Sequence, residues 1–313
     1  MSLRRDLLFF QENRMPIDSA DLVSASSIQN IIIETDRPDL KWIEESTKSI
    51  GEWRNTATSC YIRWALSING LHIAAEKYSD PNWQRTKAFV VTGLVMRDGQ
   101  PEHGAIVTWK GQKPAEAHLE TVRMLASYGL IDLCSVLEEM LLKFYRIYKE
   151  YNPEEFIKGP DNQTLRKLFR NRENEPEAWS TAWKQRLDKW QRNKLYDGLA
   201  GILLSYYNVT GLKKPSWYKE TSPETWAETL NGIAILRNCL IHGTKTVPKE
   251  LADISGKPFS LEFPFVEGEP IEIDKRHLEA VELFVTKLLD AINDSLVEFH
   301  MGAISNNISK SEK

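Results

Sequence analysis

Arg237, Asn238, His242 and Gly243 stand together in the stretch Leu236-Arg237-Asn238-Cys239-Leu240-Ile241-His242-Gly243. A guanidinium stays charged at any ordinary pH and can grip a phosphate through two parallel hydrogen bonds. A histidine takes or gives a proton near neutrality. An amide beside the arginine can orient it. Together these groups suit chemistry on a phosphate ester without a metal.

The helix that must carry them begins near residue 223. Ser222 suits the N-cap and Pro223 the first helical position, while Thr221 with Glu224 offers an alternative capping box. Gly243 suits the residue just past the end. Trp226, Leu230, Ile233, Leu240 and Ile241 recur at helical spacing and mark one buried face. Arg237 lies about 20° from Trp226 on the helical wheel, inside that stripe. Burying a cation there requires a carboxylate, a phosphate or another polar group. His242 lies about 140° further round, in the last turn, where the helix dipole favours an imidazolium. A structural ion pair plus a helix-end cap would use the same residue types.

An arginine, an adjacent polar residue and a histidine after a gap of four, at a helix end in a helical chain, resemble the signature of the HEPN superfamily. Arg237, Asn238 and His242 match it position by position. The resemblance covers roughly residues 115–300 and implies a HEPN-like helical bundle there. With the pattern of the rest of the chain, the expected fold is mainly α, with an N-terminal helical extension and one or two small β-hairpins: a mostly helical region 1–114, the bundle 115–302 and a polar, disordered tail 303–313. The resemblance also implies a metal-independent endoribonuclease that uses the RNA 2′-hydroxyl as nucleophile, with no cofactor. His242 would be the general base or acid, Arg237 the phosphate clamp and Asn238 the orienter. Members of this superfamily dimerise so that two motifs face one cleft. They serve as toxins, antiviral-defence factors or RNA-processing enzymes, and the toxins often have an antitoxin or other regulatory protein as partner.

The clearest other helix runs over residues 114–151, with Tyr128, Ile131, Cys134, Leu137, Leu141, Phe144, Tyr145 and Tyr148 as its stripe. Glu138 falls at the edge of that stripe and Glu139 on the wet side, so Glu138 is the better partner for Arg237. An edge carboxylate reaching water is the competing reading. The resemblance, too, expects an acidic residue on an early core helix facing the motif.

Residues 1–38 read as mixed, with the apolar run Ile31-Ile32-Ile33 either a strand or part of a helix. A helix follows over 40–78, with a possible break at Gly51, and Asp80-Pro81 stops it. Residues 88–96 are rich in β-branched residues and are followed by Asp98-Gly99 and then 105–109, which reads as a β-hairpin, with a helix from Pro81 to Met96 and a loop as the alternative; His103 is expected exposed in the loop. A turn-rich connection with a short helix at 164–172 leads to one long helix from Pro176 to about Asn208. That helix carries Trp179, Trp183 and Trp190 among Lys184, Arg186, Lys189, Arg192 and Lys194. Cations interleaved with rings suit single-stranded RNA, and Lys184, Lys189 and Arg192 are the candidate contacts. Tryptophans at helical spacing more often face a core, with the cations on its wet side. A second small hairpin is expected from residues 259–263 and 271–273. Asp274 then caps a last helix to about Phe299.

The net charge of −4 over 313 residues makes any RNA contact local. Cys60, Cys134 and Cys239 have no metal-ligand spacing and read as buried thiols in a reducing compartment. Leu7 to Phe10 is too short for a signal peptide and no stretch approaches a membrane span. The chain therefore reads as soluble and cytoplasmic. Two other functions fit the same residues: a non-catalytic helical module that binds a protein or RNA partner, and a nucleotide-binding helical domain that works with a nucleotidyltransferase.

Overall fold

The computed structural model describes residues 30–257, 261 and 264–311. The described residues are mainly α-helical with one two-stranded antiparallel hairpin. Residues 30–37 form neither a strand nor a helix. They make an extended strap, tied where the Ile31 N–H donates to Asn293 Oδ1 (2.8 Å) and Asn293 Nδ2 donates back to the Ile31 carbonyl (2.8 Å).

Two helices of 39 residues each form the spine: α1 (Lys41–Ser79) and α3 (Lys113–Tyr151). Each is about 58 Å long at 1.5 Å per residue. They run antiparallel, since Trp42 meets Tyr148 near one end while Trp64 Nε1 and Cys60 Sγ reach Asp132 further along. The expected break at Gly51 is absent; that glycine is buried inside a continuous α1. Asp80 ends α1 and caps the short α2 (Pro81–Thr86), its Oδ1 accepting from the Trp83 N–H at 2.7 Å.

Of the two readings of this stretch, the hairpin is the one present, as β1 (Phe89–Arg97) and β2 (Gln100–Trp109). Asp98 and Gly99 have φ of 51° and 79°, and a two-residue turn with both centres left-handed matches the twist of the strands. His103 is exposed as expected, but it lies on β2 opposite Leu94 rather than in the loop.

After α3 come α4 (Pro153–Phe156) and α5 (Gln163–Arg170), then α6 (Pro176–Lys194) and α7 (Gly198–Thr210). The single long helix expected from Pro176 to Asn208 is therefore two. A 3₁₀ turn, Leu195–Asp197, separates them, and Gly198 adopts φ +67°. Leu195 and Leu199 continue the apolar spacing, which masked the turn signal of Asp197-Gly198. The motif helix is α8 (Pro223–His242), as read from its caps. α9 (Lys249–Ser255) follows, and residues 268–271 double back on 245–247 through Val247 N–H to Glu269 O (2.8 Å) and Ile271 N–H to Lys245 O (3.0 Å). Of the second expected hairpin, residues 259, 260, 262 and 263 lie outside the described residues, and 271–273 form no strand. Asp274 does cap the last helix, accepting from the Arg276 N–H (3.0 Å), and α10 (Lys275–Ser311) runs beyond Phe299.

One core joins α1, α3, α7, α8 and α10. Ile43 and Ile50, Leu137 and Phe144, Ile202 and Tyr206, Leu230 and Ile233, and Val285 and Ile292 are all buried in it. Gly129 sits where α3, α1 and α10 converge, and a Cβ there would lie 2.6 Å from Leu278 Cδ2 and 2.9 Å from Trp64 Cγ. A separate small core gathers Ile157, Trp183 and Leu187 with Phe169 and Trp179. Among the described residues no helix is long and apolar enough to cross a membrane.

Candidate functional site

The start of α8 is pinned by a capping box, with Thr225 rather than Glu224 completing it: the Ser222 N–H donates to Thr225 Oγ1 at 2.9 Å. At the other end Gly243 is left-handed with φ +67°, and the Thr244 N–H donates to the Cys239 carbonyl at 2.9 Å. Between these ends Trp226, Leu230, Ile233, Leu236 and Cys239 are buried. Ile241, expected in the stripe, is 47% exposed.

Arg237 lies on the flank of that stripe, half-buried rather than enclosed in the core. Its Nη1 donates to Asn238 Oδ1 at 3.2 Å. The guanidinium lines a cleft of about 180 Å³ bounded by α3 (Cys134, Ser135, Glu138), by α8 (Ala234, Arg237, Asn238) and by the turn into α7 (Leu195, Tyr196, Gly198, Leu199). Glu138 is half-buried and Glu139 exposed, as the helical wheel implies. Burial pushes the Glu138 carboxyl above its ordinary range, the Arg237 charge pulls it back, and Glu139 adds to the rise. The two groups sense each other across the cleft without closing an ion pair. Among the described residues no carboxylate stands at ion-pair distance from Arg237, so its charge is left for the cleft.

Cys134 forms the cleft floor. Its thiol is pushed up to about 12 by burial, with the Arg237 charge acting the other way. It is a protonated apolar group at neutral pH, not a nucleophile.

His242 is exposed in the last turn of α8, and Asn238 is exposed beside Arg237. Asn238 lines the cleft and His242 does not. Five residues separate Arg237 from His242, about 7.5 Å along the axis and 140° around it. Within one chain the structure brings Arg237, Asn238 and Glu138 together and leaves His242 on a different side of the helix.

On α6, Lys184, Lys189 and Arg192 are exposed. The tryptophans among them are committed to packing: Trp179 stacks on Trp183 at 5.4 Å, and Trp190 meets Tyr145 edge-on at 4.9 Å. The cations thus line the wet side of small-core and main-core contacts, and the rings are not free platforms. Tyr196 lines the Arg237 cleft instead, is 91% exposed and has no ring partner among the described residues. Sequence reasoning passed over it because it sat inside the helix expected over 176–208; Asp197-Gly198 was the available signal.

No known family, curated protein or solved structure matches this chain.

Proposed function

We propose that the chain is a metal-independent endoribonuclease whose phosphate clamp is Arg237. The observation that carries this reading is a half-buried arginine that faces an open cleft and has no carboxylate at ion-pair distance among the described residues. Such a cation is an anion site in waiting, because leaving it unpaired costs stability that a bound phosphate returns.

RNA supplies its own nucleophile. The 2′-hydroxyl loses a proton as its oxygen attacks phosphorus, and the 5′-oxygen leaves with a proton, giving a 2′,3′-cyclic phosphate. Arg237 binds the phosphate oxygens and stabilises the charge that builds on them. Asn238 holds the guanidinium in place through its Oδ1. Glu138 supplies a weak counter-charge that keeps the guanidinium in the cleft without neutralising it. His242 gives or takes a proton. Its position away from its own chain's cleft suits a symmetric pair, in which the histidine of a second copy reaches the phosphate held by Arg237. RNA and a second copy of the chain are the partners of this reading; a toxin, defence or RNA-processing role, with or without an inhibitor protein, follows from it only by resemblance.

The test is cleavage of structured and unstructured RNA in EDTA, with wild type beside His242→Ala. His242 is exposed, so its removal leaves the fold intact. Cleavage by the wild type alone, leaving 2′,3′-cyclic ends, is the expected result. Equal cleavage by both would refute the assignment of His242, and no cleavage by either would refute the activity.

A second reading, a non-catalytic module docking a partner, is favoured by one feature. Beyond Gly129 the α1–α3 pair and its hairpin expose Leu66, Ile73, Leu94, Met96 and Ile106, at 59–72% of their surface. Large apolar side chains left in solvent at this end of the fold, on both faces of the hairpin, are surface that a partner could cover.

A further inference from the structure

We propose that Tyr196 is the stacking platform for an unpaired nucleobase adjoining the phosphate held by Arg237, which makes the site selective for single-stranded RNA. The inference rests on the ribonuclease reading for the identity of the anion and goes beyond it in naming a positioning residue and a substrate class.

Tyr196 is 91% exposed yet does not sit on a loose loop. It occupies the 3₁₀ turn Leu195–Asp197 between α6 and α7. That turn is fixed on both sides. Lys194 Nζ donates to Ser205 Oγ on α7 (2.8 Å) and pairs with the Asp197 carboxylate. Gly198 takes the left-handed φ of +67° that starts α7. Among the described residues the Tyr196 ring meets no other ring. The braced turn fixes the backbone that carries the ring, and a tyrosine has only two side-chain torsions to order when something stacks on it.

The cleft beside it is small. About 180 Å³ is well below the roughly 300–1,000 Å³ of pockets that enclose a whole drug-sized ligand. It takes a phosphate at Arg237 and leaves the attached base outside, where Tyr196 forms the rim. Every base has a π-face, so stacking is tolerant of sequence. A base inside a duplex already stacks on both faces, so only an unpaired one can use the ring. Asn238 lines the same cleft, with its Oδ1 accepting from Arg237.

The experiment is equilibrium binding of a 2′-O-methyl oligonucleotide, which cannot be cleaved, as a single strand, as a single strand with one abasic position, and as a duplex. Wild type, Tyr196→Phe and Tyr196→Ala are compared. Tyr196→Ala is expected to lose about tenfold or more in affinity for the single strand, while Tyr196→Phe binds like wild type. The best-placed abasic position weakens the wild type and leaves Tyr196→Ala unchanged. Duplex binding is the same for all three. A merely structural role would move single strand and duplex together. Equal single-strand binding by wild type and Tyr196→Ala, a loss in Tyr196→Phe as large as in Tyr196→Ala, or no single-strand binding by the wild type would each overturn the proposal. Because no cleavage is read, the platform can fail while the ribonuclease reading holds, and can hold while His242 proves irrelevant to cleavage.

Discussion

Lys149 should make the stability of this protein rise with pH between about 7 and 9, and Lys149→Met should remove that rise. Lys149 is only 5% exposed, and its Nζ lies 3.0 Å from the centre of the Phe156 ring, 4.8 Å from that of Trp190 and 5.2 Å from that of Tyr145. Burial pushes its ammonium down to about 7, with Arg186 and Lys194 adding to the fall and Glu155 opposing it, against an unfolded value of 10.5. Between those two values the unfolded chain binds more protons than the folded one, so stability climbs as pH rises. At 1.36 kcal/mol per unit the gain from pH 7 to 9 is about 2 kcal/mol. The ring faces favour the charged form and oppose this fall in pKa, so about 2 kcal/mol is the upper end of the expected rise. Asp294, raised to about 6 by burial and by Asp290 and Glu298, titrates mostly below this window. Burial raises Tyr145, Tyr148, Tyr206 and Tyr207, so those phenols keep their protons through it. Methionine keeps the length and the ring contacts without the charge. The assay is urea unfolding of both proteins at three pH values. Parallel stability profiles for wild type and Lys149→Met would refute the buried ammonium.

Two other perturbations test the packing. Gly129→Ala places a methyl 2.6 Å from Leu278 Cδ2 and 2.9 Å from Trp64 Cγ, and overpacking of this kind should destabilise by about 1–3 kcal/mol in thermal or urea unfolding. Asn293→Ala removes both hydrogen bonds that tie the strap at Ile31. It should cost about 1–2 kcal/mol and speed limited proteolysis at residues 30–37; unchanged digestion there would show that the strap is held by something else.

Much of the local structure could be read from residue order. Helix α8 is specified at both ends by neighbours: Ser222 and Pro223 at the start, and a glycine that can turn left-handed at the end. The hairpin likewise is signalled by β-branched residues about Asp98-Gly99. Those signals act over a few residues, so sequence carries them whole. The motif itself, Arg237-Asn238 to His242, and the edge position of Glu138 were legible for the same reason, since a helical wheel needs only one helix.

Tertiary structure decided the rest. Apolar spacing runs straight through Leu195 and Leu199, and only the packing of α7 on α3 and α8 shows that the chain breaks there and turns Tyr196 outward. Gly51 reads as a helix breaker, but α3 lies along α1 and packing outweighs the roughly 1 kcal/mol that a helical glycine costs. The exposure of Arg237 could not be taken from its angle on a wheel. Whether a flank position is sealed or open depends on what the neighbouring element places over it, and here the turn into α7 lines an open cleft beside Arg237. The separation of Arg237 from His242 is already implied by the helix, yet its meaning depends on what faces each side, and that is a property of the assembled fold.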